Sequence, residues 1–115
     1  MKNEDQIIAI AKSTGWTHIE NANTMAISGI WKGYPPTGQL IGKKEYLLNY
    51  LSDLNAIHQA ETVLTFSQRE RYWALLVMII DPKDESKESS RWLCAHATAA
   101  QKAEAFLKTL NLWTE

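Results

Sequence analysis

The sequence predicts one α/β domain of the α+β type, in which a small, mainly antiparallel sheet of about three strands is covered by four helices on at least one face. Three observations support this fold class. The length of 115 residues lies near the commonest domain size, so one core is expected. The hydrophobic period switches several times between that of a helix and that of a strand. Three capping-box spacings mark places where a helix can begin. We therefore expect a single domain over residues 1–115.

The first element is predicted to be a helix over residues 4–14. Asn3 and Gln6 have the spacing of a capping box, and Gly15 is placed to end the helix. A helix therefore precedes the sheet.

The next segment predicts a β-hairpin followed by a rigid loop. β-favouring residues alternate through Trp16–Glu20 and again through Met25–Trp31, and the turn formers Asn21–Thr24 lie between them. The segment Gly33–Gly38 contains two prolines and two glycines, so it fits neither the helical nor the strand periodicity. We expect an antiparallel pair of strands that ends in a semi-rigid loop.

The middle of the chain predicts two helices. The first runs over 45–63, because apolar residues recur at helical spacing, namely Leu47, Leu51, Leu54, Ile57 or His58, and Leu64. The second follows the capping-box spacing of Ser67 and Glu70 and includes Tyr72–Ile80. That run is apolar on every face, so a buried strand over 74–80 is an alternative that periodicity does not exclude.

The last part of the chain predicts a loop, a third strand and a final helix. Asp81 and Pro82 end the preceding element, and the charged, serine-rich segment Lys83–Ser90 is typical of a solvated loop. Arg91–His96 follows as a short strand. Thr98 with Gln101 has the capping-box spacing, and the segment after it carries a clean apolar stripe.

Composition excludes several classes of protein. Apolar residues make up 45% of the chain and charged residues 22%, as in ordinary globular domains. The formal charge of −1 argues against broad nucleic-acid binding. The longest apolar stretch, Tyr72–Ile80, is about half the length of a membrane-spanning helix. One cysteine and no secretory signal pattern make the cytosol the expected compartment, with no membrane partner.

Few residues suggest metal or catalytic chemistry. The candidates for a transition-metal site are His18, His58, His96 and Cys94, but structural zinc requires four ligands at tight spacings, so no metal is expected. His58 and Glu61 lie one helical turn apart and have the spacing of a proton-transfer pair, although such spacings are common on helices. No nucleophile elbow or phosphate-binding glycine loop occurs. We expect no catalytic residues and no cofactor.

Aromatic and basic residues cluster around the proline-containing loop. Trp31, Lys32 and Tyr34 lie at a strand end, and Lys43 and Lys44 follow the loop. Aromatic rings stack on bases and lysines neutralise phosphates, so these five residues are candidates for a nucleotide-like ligand. Ordinary packing and solvation are the alternative interpretation.

Several blocks of the sequence resemble a family of small phage and prophage proteins, the phage ABA sandwich domain. The blocks are Gly15–Trp16, Pro35–Gly38, Asp53–Glu61 and Ala97–Leu107, with Trp113 after the last. Ile57, Gln59 and Lys102 stand where that family usually has methionine, glutamate and arginine. The resemblance implies an α-β-α sandwich, and it implies no catalytic residue or substrate.

Four polar residues of the two specific blocks lack a packing explanation: Asn55, His58, Glu61 and Glu104. We expect a polar site between the helices that carry them. The leading hypothesis is a non-enzymatic phage accessory protein that acts by binding, in its most concrete form a counter-defence protein that sequesters a nucleotide immune signal. The alternatives are a protein-interaction module, such as a homo-oligomer that uses Trp92 or Trp113 against a host or virion protein, and a small hydrolase.

Overall fold

The computed structural model describes residues 1–23, 30–36 and 44–115, and within them the chain forms five helices and three strands. The order is α1 (Asn3–Ser13), β1 (Thr17–Asn21), β2 (Trp31–Tyr34), β3 (Glu45–Tyr46), α2 (Leu54–Glu61), α3 (Phe66–Ile80), α4 (Ser90–Ala95) and α5 (Ala99–Thr109). The predicted class, a mixed α/β fold with a three-stranded antiparallel sheet, is confirmed.

The sheet has the order β1-β2-β3, and both pairs of neighbouring strands are antiparallel. Thr17 pairs with Tyr34 and Glu20 pairs with Lys32, so a bulge lies between them on β1. A Cβ on Gly33 would lie 2.8 Å from the Thr17 carbonyl oxygen. The glycine therefore permits the close approach of the two strands.

The second strand differs from its prediction. Trp31–Tyr34 is paired on both sides, so Gly33 and Tyr34 belong to the sheet rather than to a loop. Most of the predicted strand Met25–Trp31 and part of the predicted loop lie outside the described residues.

The first helix is confirmed, but it runs over Asn3–Ser13 rather than over 4–14, and the predicted capping box is wrong. Lys2 is the N-cap residue and makes no side-chain cap hydrogen bond. Because Asn3 is already helical, its side chain is not placed to cap, and Gln6 Nε2 instead donates to the Met1 carbonyl oxygen.

The predicted helix over 45–63 is wrong in its first half. Glu45–Tyr46 pairs with β2 as the third strand, and α2 begins only at Leu54. Asp53 Oδ1 accepts hydrogen bonds from the backbone amides of Asn55 and Ala56, so the helix starts where this cap is available.

The third helix confirms the helical prediction for Tyr72–Ile80 and excludes the strand alternative. Its capping box is formed by Thr65 and Gln68 rather than by Ser67 and Glu70. The two pairs have the same spacing, and the earlier one extends the helix by a further two residues.

The predicted strand Arg91–His96 is also wrong, because Ser90–Ala95 forms the short helix α4. The Ser89 hydroxyl accepts a hydrogen bond from the Trp92 amide and so starts a helical turn. The preceding segment is an exposed loop, as expected, and Asp81 orders it by accepting hydrogen bonds from the amides of Glu85 and Ser86.

The core is organised around α5, which contacts α1, α2 and α3. Its predicted capping box of Thr98 and Gln101 is confirmed. Six of its residues are buried: Ala99, Ala103, Ala105, Phe106, Leu107 and Thr109. No helix in the described ranges is long and apolar enough to cross a membrane.

Candidate functional site: the Glu61 pocket

A pocket of about 260 Å³ lies where α2, α3 and α5 approach one another. We call it the Glu61 pocket. Its lining residues are His58, Glu61, Thr62, Leu64, Arg69, Tyr72, Trp73 and Lys102. The predicted pair of His58 and Glu61 is thus found within one concave site together with residues from two other helices.

Glu61 is the electrostatic centre of this pocket. Its side chain is only 13% exposed, and Oε1 lies 3.3 Å from His58 Nδ1 and 3.9 Å from Lys102 Nζ. Neither contact has the geometry of a hydrogen bond, so Oε1 is buried without a donor from the described residues. Lys102 therefore stabilises this oxygen atom by charge rather than by a regular hydrogen bond.

The Tyr72 hydroxyl is a second unsatisfied group in the same place. The residue is 1% exposed, and its hydroxyl has no hydrogen-bond partner among the residues that the structure describes. Burial, and then the neighbouring Glu61 carboxylate, raise the pKa of Tyr72 far above its ordinary value. The Tyr72 hydroxyl and the Glu61 carboxylate therefore lie next to each other, at a geometry short of a regular hydrogen bond.

Local sequence explains how the pocket is assembled. Asp53 fixes the start of α2, and a separation of three residues then places His58 and Glu61 on one helical face. Thr98 fixes the start of α5 and so places Lys102 at the end of its first turn. The close packing of α3 on α5 sets Tyr72 beside them.

The aromatic and basic candidates around the sheet lie on opposite faces of β2. Lys32 and Tyr34 lie on one face of β2, where Lys32 Nζ is 3.9 Å and Lys44 Nζ is 3.0 Å from the Glu20 carboxylate. Lys44 also lies over the Tyr34 ring, at 5.5 Å from its centroid. Hydrogen bonding and charge from Lys44 lower the pKa of Glu20. The two lysines are thus already paired with an acid.

Trp31 faces the other side of the strand and meets α1. Its Nε1 donates to Glu4 Oε2 at 3.2 Å, and it lines a cavity of about 310 Å³ with Tyr46 and Leu47. Lys43 lies outside the described residues. The five candidates do not share one pocket in the part of the chain that the structure describes.

The remaining predicted polar residues lie away from the Glu61 pocket. Asn55 is exposed in the first turn of α2, where its backbone amide donates a hydrogen bond to Asp53 Oδ1. Glu104 accepts from Lys108 Nζ at 2.8 Å. Sequence reasoning missed Tyr72, Lys102, Arg69 and Trp73 as site residues, because their proximity to Glu61 arises from tertiary packing.

A second, apolar concavity adjoins this pocket. We call it the α3–α4 groove; its volume is about 670 Å³, and it is lined by Glu70, Trp73, Ala74, Val77, Ser90, Arg91, Cys94 and Ala95. Trp73 lines both concavities. Burial raises the pKa of the Cys94 thiol, although Lys102 opposes the effect, so this cysteine is not activated.

Over 1–23, 30–36 and 44–115, no group of three or more histidine, cysteine, aspartate or glutamate side chains could hold a metal ion. His96 instead stacks on Trp92, and His18 packs edge-on against Tyr34.

The chain matched no protein-family model, no curated protein and no solved structure. The resemblance to the phage ABA sandwich domain therefore stays a prediction.

Proposed function

We propose that this domain acts by binding a small, nucleotide-like ligand in the Glu61 pocket, without catalysing its conversion. The observation that carries the proposal is that Arg69, Lys102 and the partly exposed Trp73 ring line one pocket around the nearly buried Glu61 carboxylate.

The charge of the pocket favours an anion. Arg69 and Lys102 each contribute one positive charge and Glu61 one negative charge, so the lining carries a net positive charge even with His58 left out of the count. Guanidinium and ammonium groups are the side chains that bind phosphate best. The partly exposed Trp73 indole adds an aromatic surface of the kind on which a base stacks.

The hydroxyl groups of the pocket favour binding over catalysis. Thr62 Oγ1 donates to the Gln59 carbonyl oxygen at 2.7 Å, and the raised pKa keeps the Tyr72 hydroxyl protonated. Neither group is arranged as an activated nucleophile.

The biological role that fits this activity is that of a phage accessory protein in the host cytosol, where it sequesters a nucleotide immune signal. This part of the proposal is supported by the resemblance of the Asp53–Glu61 and Ala97–Leu107 blocks to phage ABA sandwich domains. The pocket lies between the same two blocks, since Glu61 belongs to the first and Lys102 to the second.

Calorimetric titration of the full chain with mononucleotides, cyclic nucleotides and cyclic ADP-ribose isomers tests the proposal. We expect binding of at least one ligand, and we expect Arg69→Gln to weaken it roughly tenfold, because a charge-assisted contact contributes about 1.5–3 kcal/mol. Lys87→Gln, in the exposed loop before α4, is the matched control and should leave binding unchanged. No binding at high micromolar concentration would exclude the proposal, and hydrolysis of the ligand during titration would replace it with the small hydrolase.

The α3–α4 groove favours a second candidate function, self-association. Trp73 and Trp92 are 44% and 52% exposed, and Met78 nearby on α3 is also exposed. Exposed aromatic groups beside an apolar groove are typical of protein interfaces. Sedimentation velocity of Trp92→Ser tests this role, with Phe66→Ser as a control at a more exposed aromatic residue on the first turn of α3. A wild-type protein that stays monomeric at high micromolar concentration would exclude it.

A further inference from the structure

We infer that a second copy of this chain covers the α3–α4 groove, in a two-fold arrangement that pairs Glu70 of each copy with Arg91 of the other. The inference rests on the self-association proposed above, since it assigns the symmetry and the charged contacts of that association. It is independent of the ligand proposed for the Glu61 pocket.

The first step concerns the outward face of α3. Tyr72 and Leu76, on the inward face, are 1% and 0% exposed and belong to the core. Trp73, Ala74 and Met78 lie outside that inward face, and all three are exposed. A helix that is apolar on every side is normally buried on every side. The outward face of α3 is therefore an apolar surface that is open to a partner.

The second step concerns the size of this surface. Trp73 and Trp92 are 44% and 52% exposed, so each indole leaves roughly 100 Å² open. A stable interface buries about 800 Å² on each partner, and the two indoles supply about a quarter of that area. Trp92 and Met78 lie outside the lining of the groove, so a small molecule within the groove would leave both of them uncovered. The surface therefore suits a protein partner.

The third step concerns two opposite charges on the walls of the groove. Glu70 lies on α3 and Arg91 lies on α4; both are exposed, and neither forms an ion pair with another described residue. A two-fold axis that passes midway between two points exchanges their positions. An axis over the groove, midway between Glu70 and Arg91, therefore places each Glu70 against Arg91 of the other copy. The face is complementary to itself, as an isologous interface requires, and this favours a second copy over an unrelated protein.

The charge of the whole chain offers little resistance to this association. The formal charge is −1, so the long-range repulsion between two copies is weak. The two cross contacts between Glu70 and Arg91 lie on opposite sides of the axis. Charged contacts of this kind contribute orientation and specificity more than affinity, which the apolar residues supply.

Trp92 is already ordered in the single chain. The His96 imidazole stacks on the Trp92 indole, with 4.0 Å between the ring centroids and 25° between the planes. His96 Nδ1 also lies 2.9 Å from the Trp92 carbonyl oxygen, which holds the imidazole in place. Ordering of side chains at an interface costs affinity, so an indole that is already held contributes more. Trp92 therefore has the properties of a residue that dominates the binding energy of an interface.

Charge reversal, followed by sedimentation velocity of the full chain, tests the arrangement. Glu70→Arg and Arg91→Glu each create two contacts between like charges, so we expect each to weaken the dimer at least about tenfold. Mixing the two single variants in equal amounts should restore association. In that heterodimer the two altered residues face each other at one cross contact, and the native Glu70 and Arg91 face each other at the second. Glu115→Arg, at an exposed residue beyond α5, makes the same change in net charge as Glu70→Arg and should leave the dimer intact.

The outcomes separate the inference from the self-association beneath it. A wild-type protein that stays monomeric at high micromolar concentration would overturn both and would leave the face to a different protein. A wild-type dimer that neither charge reversal weakens would overturn the arrangement and leave self-association standing. Recovery in the double variant Glu70→Arg/Arg91→Glu but not in the mixture would place the pair within one chain, which also overturns the arrangement.

Circular dichroism shows whether each variant folds. If a charge reversal does not fold, Glu70→Gln and Arg91→Gln remove the cross contacts without introducing repulsion. We expect both to weaken the dimer by a smaller factor than charge reversal does, and a dimer that is insensitive to both would overturn the arrangement.

Discussion

Replacement of Tyr72 by phenylalanine is expected to stabilise the unliganded protein. Tyr72 is 1% exposed, and its hydroxyl has no hydrogen-bond partner within the described parts of the chain. A buried polar group without a partner costs about 1–3 kcal/mol of desolvation, and phenylalanine removes that cost while it keeps the ring in place. The same substitution is usually destabilising when the hydroxyl is satisfied.

The expected magnitude is a gain of about 1 kcal/mol in the free energy of unfolding. The gain lies at the lower end of the desolvation range, because Tyr72→Phe also removes the attraction between the hydroxyl and the Glu61 carboxylate. For a domain of this size, 1 kcal/mol corresponds to a rise in Tm of about 4 °C.

Urea denaturation followed by tryptophan fluorescence or circular dichroism measures this difference. Tyr50→Phe is the matched control, because Tyr50 is also almost fully buried. Burial raises the pKa of Tyr50, but hydrogen bonding by Thr14 and Trp16 opposes that effect, so its hydroxyl has partners to lose. We expect the control to lose about 1 kcal/mol, as is typical of a lost hydrogen bond.

A destabilisation of Tyr72→Phe similar to that of Tyr50→Phe would refute the reasoning. It would mean that the Tyr72 hydroxyl is satisfied in solution by Glu61 or by water. If Glu61 is the partner, the same hydrogen bond satisfies both groups, and the unliganded pocket needs no further partner for either of them.

Three further predictions concern the cap of α2, the sheet and the dependence of stability on pH. Asp53→Ala should lower the free energy of unfolding by about 1 kcal/mol, because it removes the cap of α2; chemical denaturation measures the loss, and an unchanged midpoint would contradict the assigned cap. Gly33→Ala should destabilise the β1–β2 pair, because the new Cβ would meet the Thr17 carbonyl oxygen at 2.8 Å; a thermal melt no lower than that of the wild type would show that the strands can separate without cost. Stability should fall as pH rises above 9–10. The pKa values of Cys94 and Tyr72 are raised in the folded protein from their ordinary values of 9.0 and 10.0. The stability that these two protonated groups contribute is complete below the ordinary values and is lost as pH rises towards the folded-state values. Denaturation midpoints between pH 8 and 10.5 test this, and Tyr72→Phe should flatten the decline.

The parts of the fold that the sequence predicted correctly are those that depend on neighbouring residues. The capping box of Thr98 and Gln101 is a local arrangement, and it forms as expected. The separation of His58 and Glu61 is equally local, so their proximity followed from helical spacing alone. Local hydrogen bonds and helical periodicity therefore account for these correct predictions.

The errors occurred where two local patterns were equally acceptable. Thr65 with Gln68 and Ser67 with Glu70 have the same spacing, and only the complete structure distinguishes them. The apolar stripe that begins at Leu47 fits a long helix, but Glu45–Tyr46 pairs with β2 as a strand instead. Strand pairing between distant segments is invisible to a periodicity argument.

The site was only half predictable for a related reason. Lys102 and Tyr72 complete the Glu61 pocket from α5 and α3, and no spacing in the sequence relates them to Glu61. Trp31 and Tyr34 were grouped because they are close in the chain. Alternation along β2 sends their side chains to opposite faces, and the sheet separates them.

The central position of α5 has a consequence for how the protein acquires its structure during synthesis. The buried face of α1, which includes Ile10 and Ala11, packs on a helix that the ribosome makes last among those described. Until α5 has emerged, the faces of α1, α2 and α3 that pack on it have no partner, and these apolar faces stay open to other nascent chains. Folding must therefore wait for contacts between distant segments, which is the slow class of folding. A chain halted before Ala99 would emerge as an aggregation-prone intermediate rather than as a smaller domain.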